Sequence, residues 1–175
     1  MQKRRDIVNA ISDKLEATIL GSAAGSATMP AGIFNGVTPE TKDITYKRLV
    51  DMETALEEAN VAGNKCFIVS PSAKGILKTT AKDALYNVTD CVGCAGCLME
   101  ENEVNGYPVY CTSNVTSKGV VMGHFEDFVI GQWGGIDLTV DPYTQAANGK
   151  VRLVINAYFD AKPRRTGSFQ KAILK

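Results

Sequence analysis

The sequence changes character at Tyr107, and this change does most to limit the folds that the chain can adopt. Before Tyr107, apolar residues recur at intervals of three and four, which is typical of amphipathic helices. After it, short runs rich in Val, Ile, Tyr and Phe alternate with turn residues, which is typical of strands. This order predicts an α+β fold, with helices early and an antiparallel-rich sheet late.

The first half predicts three helices and one strand. The first helix carries an apolar stripe of Ile7, Ile11, Leu15 and Ile19 and ends at Gly21, where a Gly-rich and Ala-rich loop to Gly36 begins. The second runs from about Thr45 to Asn60 and buries Leu49, Met52, Leu56 and Ala59. Residues 65–69 form an apolar run that predicts a buried strand. Ser70 and Pro71 then predict the N-cap and first residue of a helix that reaches about Lys78.

The second half predicts a series of strands separated by Gly, Asn and Asp. Their expected ranges are 108–112, 120–125, 127–132, 136–140 and 150–160, and Asn148-Gly149 is a strong turn sequence before the last of them. We expect the buried core to contain Leu49, Leu56, Phe67, Ile68, Ile130, Leu138, Leu153 and Ile155.

Charge and hydropathy exclude several classes of protein. The 175 residues include 19 Lys and Arg and 19 Asp and Glu, so the formal net charge is zero. Proteins that bind nucleic acid by charge attraction usually carry a basic excess. No apolar run is long enough to cross a membrane, and polar residues interrupt the N-terminal segment where a signal peptide needs an apolar core. The expectation is a protein made and kept in a cytoplasm.

Three of the five cysteines lie close together, at Cys91, Cys94 and Cys97. A bacterial iron–sulfur pattern needs a fourth cysteine and then a proline, where this chain has Glu101 and Asn102. Cys111 could complete a structural zinc site with the other three, although the paired knuckles usual in such sites are absent. A loop of small residues that exposes thiols without metal is the favoured interpretation, and a metal or redox protein is the alternative.

No familiar catalytic pattern is present. The only histidine, His124, follows a predicted strand and is interpreted as a partly buried structural residue. Asp137 and Asp141 flank Thr139 and could hold a cation, but solvated turn carboxylates are the favoured interpretation. Walker, dinucleotide, zinc-protease and nucleophile-elbow motifs are absent, so no enzyme activity is predicted.

Three segments together resemble the bacteriophage major capsid proteins that have the Hong Kong 97-type fold. They are IVSPSAKGILKTT at 68–80, NGYPVYCTSNV at 105–115, and the long run from GHFEDFVIGQWGG at 123–135 to NGKVRLVINAYFDAKPRRTGSFQKA at 148–172. The loop ILGSAAGSATMPAGIFNG at 19–36 is also similar to this family. Each segment is modest by itself, but their order and spacing extend the resemblance over nearly the whole chain.

The resemblance implies a structural subunit of a tailed-phage or prophage icosahedral capsid that associates with itself into hexamers and pentamers. It would enclose the genome without specific nucleic-acid binding, need no cofactor, touch no membrane and reside in the virion. Residues 1–30 would be the end of a spine helix and its loop, 31–144 an axial domain, and 145–175 the returning strands of a peripheral domain. A nanocompartment shell shares this fold and is a further class.

The family's N-terminal arm, extended loop and most of its spine helix have no counterpart here. The chain is therefore interpreted as a fragment or truncated form that alone makes monomers or small rings rather than closed shells. Asn156 lies in the region where some relatives form a covalent cross-link between subunits, but its surroundings do not match, and that chemistry is not carried over to this chain.

Overall fold

The fold is described from a computed structural model that covers residues 2–82 and 96–175, with side chains from residue 8 onward. Its helices are α1 Gln2–Ile19, α2 Tyr46–Glu58 and α3 Pro71–Thr79. Its strands are β1 Cys66–Val69, β2 Glu103–Val104, β3 Tyr107–Cys111, β4 Gly119–Gly123, β5 Phe128–Asp141, β6 Arg152–Pro163 and β7 Phe169–Ile173. The predicted α+β class is confirmed.

Local capping fixes where α2 and α3 begin. The hydroxyl of Thr45 accepts a hydrogen bond from the backbone N–H of Arg48 at 3.3 Å. The hydroxyl of Ser70 accepts one from the N–H of Ala73 at 3.2 Å, and Pro71 is the first residue of α3. Each cap satisfies a donor that has no partner within its helix. The predicted starts of both helices are confirmed.

Five strands form a mixed sheet in the order β2-β3-β1-β4-β7. β1 lies at the centre, parallel to β3 and antiparallel to β4, and the other neighbours are also antiparallel. Phe67 lies opposite Val109 on one side and opposite Met122 on the other. The sheet therefore joins early and late parts of the sequence around one central strand.

Both faces of this sheet are covered, which explains why every residue of β4 is buried. The first face packs under α2 and α3, with a core that includes Leu49, Met52, Leu56, Phe67, Val69, Leu77, Val120 and Met122. The second face packs under the end of α1 and the loop after it, with Ile19, Leu20, Ile33, Phe34, Val121 and Phe169. Successive strand residues point to opposite faces, so Val120 and Val121 enter different cores.

β5 and β6 pair with each other in a separate two-stranded sheet, called the ribbon here. The prediction of two strands at 127–132 and 136–140 is wrong, because β5 runs through both. Trp133 pairs with Tyr158 and Asp137 pairs with Asn156, so β5 has a bulge between these pairs. Gly134 has φ +72° there, a conformation that glycine adopts without strain. Gly134 and Gly135, which the sequence suggested as a break between two strands, lie in this bulge within β5.

The predicted core is confirmed in α2 and the five-stranded sheet and is wrong for three of the four predicted residues in the ribbon. Leu49, Leu56 and Phe67 are buried, and Ile68 and Ile155 are half-buried. In contrast, Ile130, Leu138 and Leu153 are 50%, 53% and 44% exposed. Alternation in a strand indicates which residues share a face but not whether another element covers that face. Over much of the ribbon, no other described element does so.

Candidate assembly surface

The ribbon residues that were predicted to be buried lie together on one side of the ribbon, which is called the apolar face here. Cross-strand partners share a side, which groups Ile130 with Ala161, Leu138 with Ile155, and Val140 with Leu153. Phe159 belongs to the same side by alternation along β6. The apolar face thus consists of Ile130, Leu138, Val140, Leu153, Ile155, Phe159 and Ala161. Contiguous exposed apolar surface of this kind marks interaction sites in folded proteins.

Part of the apolar face lies beside α1. A groove of about 460 Å³ separates the two elements and is lined by apolar residues that include Ile11, Leu15, Met29, Ile155 and Phe159. Ala161, near the base of the ribbon, is buried in the second core. The ribbon is therefore anchored at its base, whereas Leu138, Val140 and Leu153 remain exposed farther out.

The opposite side of the ribbon presents an aromatic pair. Trp133 and Tyr158 are cross-strand partners and are 60% and 63% exposed. The indole ring lies over Gly131, where an added Cβ would come within 2.8 Å of the ring. Large aromatic side chains are enriched in protein interfaces because they bury much area with few rotatable bonds. Both sides of the ribbon therefore offer contact residues.

Hydrogen bonds and aromatic packing hold the base of the ribbon. Ser168 donates its hydroxyl hydrogen to the carboxylate of Asp127 at 2.5 Å, and the backbone N–H of Arg164 donates to the carbonyl of Asp127 at 2.7 Å. The ring of Phe169 packs edge-on against Phe125 and Phe128, with centroids 5.3 and 5.9 Å apart. These contacts fix the point at which the ribbon leaves the five-stranded sheet.

The structure describes only part of the cysteine cluster. Cys91 and Cys94 lie outside the described residues. Cys97 is buried beside Leu98 and Met99, whose backbone N–H groups donate to the carbonyls of Thr80 and Leu77. The predicted surface exposure is therefore wrong for Cys97, because Leu98 and Met99 fill the core beneath α3. Cys111 is exposed at the end of β3.

Among residues 8–82 and 96–175, the structure brings together no group of three or more side chains suited to hold a metal ion. That cysteines 91, 94 and 97 hold no metal stays a prediction. Cys66, at the start of β1, is half-buried, and this burial raises the pKa of its thiol.

His124 occupies the structural position expected from the sequence. Its side chain is only 12% exposed, and Nδ1 lies 2.8 Å from the carbonyl oxygen of Asn64. The imidazole ring packs against Gly63, where an added Cβ would come within 2.5 Å of it. Nε2 lies 3.6 Å from Glu126, which is exposed. His124 thus stabilises the loop that precedes β1 through its contacts with Gly63 and Asn64.

The two candidate cation ligands, Asp137 and Asp141, have different surroundings in the structure. Asp141 accepts hydrogen bonds from the backbone N–H groups of Tyr143 and Thr144 and from the hydroxyl of Thr144, and these bonds lower the pKa of its carboxyl. Its interpretation as a turn carboxylate is confirmed. Asp137 is exposed and lies opposite Asn156 in the ribbon.

In the described ranges, no helix is both long enough and apolar enough to cross a membrane.

Comparison with solved structures gives the class of the fold. A chain of Gordonia phage Cozz superposes with a TM-score of 0.65 at 16% identity, covering 98% of this chain and 62% of that one. A capsid chain of an empty GTA particle gives 0.64 at 19% identity, covering 98% of this chain and 65% of that one. The predicted Hong Kong 97-type fold is confirmed.

Comparison by sequence gives the family. The model of the phage capsid family matches residues 4–173. The major capsid protein of Halomonas phage phiHAP-1 is 33% identical over 128 residues, which is 73% of this chain and 20% of that protein. This chain belongs to the phage capsid family. It spans a fifth of the length of that curated relative and just under two thirds of the two solved chains.

Two charged turns were not singled out from the sequence. One comprises the end of β6 and the residues after it and contains Lys162, Arg164 and Arg165, and the other leads into β2 and contains Glu101 and Glu103. The run KPRR was a visible cue for the first. The turn with Glu101 and Glu103 had no comparable cue in the sequence, because only the structure shows that it lies at an edge of the five-stranded sheet.

Proposed function

We propose that this chain is a structural subunit of a tailed-phage or prophage icosahedral capsid and associates with copies of itself into pentamers and hexamers. The observation that carries the proposal is the exposed apolar face of the ribbon, found in a chain that belongs to the phage capsid family. The sequence similarity to a phage major capsid protein favours a phage shell over a nanocompartment.

The energetics support a second copy of the chain as the occupant of the apolar face. Fully burying a Leu, Ile or Val side chain stabilises an interface by roughly 1.5–3 kcal/mol. Ile130, Leu138, Val140 and Leu153 are each between 44% and 56% exposed, so each retains apolar area to bury. Because the net charge is zero, identical copies approach without strong overall repulsion.

The finer parts of the proposal follow from the resemblance. Residues 31–144 act as an axial domain, and residues 1–30 and 145–175 belong to a peripheral domain. The boundary at 144 lies in the connection between β5 and β6. Two pairs of strands, β5 with β6 and β4 with β7, join residues on opposite sides of this boundary. The shell assembles in the host cytoplasm, becomes part of the virion and encloses the genome without specific nucleic-acid binding, and the chain has no catalytic role.

Electron microscopy of the purified chain tests the proposal. Size-exclusion chromatography with light scattering separates the assembled fractions, which negative staining then images. The expected result is concentration-dependent rings of five or six copies. The variant Leu153→Asn should lose them, and the matched control Arg152→Asn, on the neighbouring residue and the other side of β6, should keep them. A chain that stays monomeric at every concentration would overturn the proposal.

A further inference from the structure

The end of β6 and the turn that leads to β7 carry three cations without an ion-pair partner among the described residues. Lys162, Arg164 and Arg165 are exposed, and none forms an ion pair with a described residue. The nearby carboxylate of Asp127 already accepts the hydroxyl hydrogen of Ser168. Because the backbone N–H of Arg164 also donates to the Asp127 carbonyl, the turn is held in place. Residues 162–168 are called the basic turn.

The basic turn borders an open cavity of about 630 Å³. Ala59 and Val61, which follow α2, contribute apolar surface to the cavity, and the basic turn supplies the rest of the lining. An apolar wall beside exposed cations suits a small protruding loop that carries negative charge. Such a loop would gain charge-assisted hydrogen bonds from the two guanidinium groups.

A loop of that kind exists at the other edge of the same sheet. Glu100 and Glu103 exchange backbone hydrogen bonds of 3.0 and 2.7 Å, which makes residues 100–103 a tight turn. The two central residues, Glu101 and Asn102, have φ of +50° and +108°. Left-handed backbone is disfavoured for a glutamate, so surrounding structure holds Glu101 at this tip. Residues 100–103 are called the acidic turn.

The acidic turn also has charges without partners. Glu100 is already paired with Lys82 at 2.9 Å, and this contact, with a hydrogen bond from the N–H of Gly96, lowers the pKa of its carboxyl. Glu101 and Glu103 are exposed and form no ion pair with a described residue. Two carboxylates therefore remain without an ion pair at the edge formed by β2, where the ammonium group of Lys74 donates to Oδ1 of Asn102 at 3.0 Å.

The two turns cannot neutralise each other within one chain. The acidic turn precedes β2 and the basic turn precedes β7, and these are the two edge strands of the five-stranded sheet. Four strand spacings of about 4.8 Å separate the edges by about 19 Å. Exposed charges are screened beyond about 8 Å at physiological ionic strength. The opposite charges of the two turns can therefore attract each other only when the turns belong to different copies of the chain.

We infer that the cavity beside the basic turn of one copy receives the acidic turn of the next copy. Arg164, Arg165 and Lys162 then face Glu101 and Glu103 across a head-to-tail contact. A head-to-tail contact joins different surfaces of identical chains and produces rings when its rotation closes. The inference rests on the proposed function and names the charged contact that sets the direction of each ring.

Charge reversal tests this contact. Arg164→Glu/Arg165→Glu and Glu101→Lys/Glu103→Lys should each raise the dissociation constant for self-association by about tenfold or more, because each places like charges together. The chain with all four substitutions should recover most of the wild-type affinity, since opposite charges meet again. Lys42→Glu/Lys78→Glu is the matched control for the arginine reversal, since it lowers the net charge by the same amount at exposed residues elsewhere. Circular dichroism checks that each variant is folded.

The other outcomes separate this inference from the proposed function. If the two reversals leave the dissociation constant unchanged while Leu153→Asn raises it, the head-to-tail contact is wrong and self-association through the ribbon stands. If Arg164→Glu/Arg165→Glu abolishes binding to a labelled 30-base-pair DNA duplex but not self-association, the basic turn serves nucleic acid and the inference is overturned. A wild-type chain that is monomeric throughout overturns both.

Discussion

At the scale of single residues, similar side chains have different roles that depend on what covers them. Leu56 is fully buried between α2 and the sheet, whereas Leu153 is 44% exposed on the ribbon. Both belong to regular apolar patterns in the sequence. Their surroundings decide whether each one stabilises the folded chain or remains available for a contact between chains.

This difference predicts unequal effects on stability. Leu56→Ala should lower the free energy of unfolding by about 2–5 kcal/mol, because it leaves a cavity in a packed core. Leu153→Ala should change that free energy by about 0.5 kcal/mol at most, as is usual for surface positions. Urea unfolding of dilute, monomeric protein measures both values. Equal losses for the two variants would contradict the assignment of Leu153 to an exposed face.

Tyr107 supplies a prediction about pH. Burial, and then the hydrogen bond that its hydroxyl donates to Glu53 at 2.9 Å, raise the pKa of this phenol. The folded chain therefore favours the neutral phenol, and the contribution to stability is full below pH of about 10, the ordinary tyrosine value. It is lost as pH rises through the higher pKa of the folded state.

Ultraviolet titration of tyrosinate measures this effect. Tyr107→Phe should remove the component that ionises at the highest pH. Tyr143→Phe is the control, because it removes a tyrosine whose side chain is 85% exposed. A high-pH component that persists in Tyr107→Phe would mean that another tyrosine carries it.

At the scale of elements, the ribbon depends on its bulge. Gly134 has φ +72° at this point, whereas the adjacent Gly135 is not in the left-handed region. Neither position would bring an added Cβ within 4 Å of another group. The two glycines therefore differ in backbone conformation rather than in available space.

Substituting each glycine by alanine measures the free-energy cost of left-handed backbone separately from any steric effect. Gly134→Ala should destabilise the ribbon by about 1–2 kcal/mol, because a side chain disfavours left-handed backbone. Gly135→Ala should have a smaller effect. Amide hydrogen exchange of β5 and β6 measures local opening, and faster exchange in Gly135→Ala than in Gly134→Ala would contradict the bulge geometry.

Elements fixed by nearby residues could be predicted from the sequence. Thr45 and Ser70 cap helices through hydrogen bonds to residues three positions later, so these contacts are local, and the start of α2 near Thr45 and the cap at Ser70 were predicted. The exposure of Ile130 and Leu138 could not be found in this way, because it depends on which distant elements pack beside the ribbon. The burial of Cys97 depends on the long-range packing of Leu98 and Met99 under α3.

At the scale of the whole molecule, most of the apolar surface is buried in two cores and a distinct part is left on the ribbon. The five-stranded sheet is packed on both faces, and its edges carry turns of opposite charge. The ribbon extends from this body with an anchored base and an exposed apolar face. This division supports the proposed self-association of the chain.

The central claim is that the apolar face of the ribbon drives self-association, and sedimentation velocity over a range of concentrations tests it most directly. Leu138→Asn places a polar side chain on the apolar face, and Thr139→Asn makes a matched change on the next residue, which lies on the other side of β5. We predict that wild type and Thr139→Asn shift to larger species as concentration rises, whereas Leu138→Asn stays monomeric over the same range. Equal association of all three chains would contradict the claim.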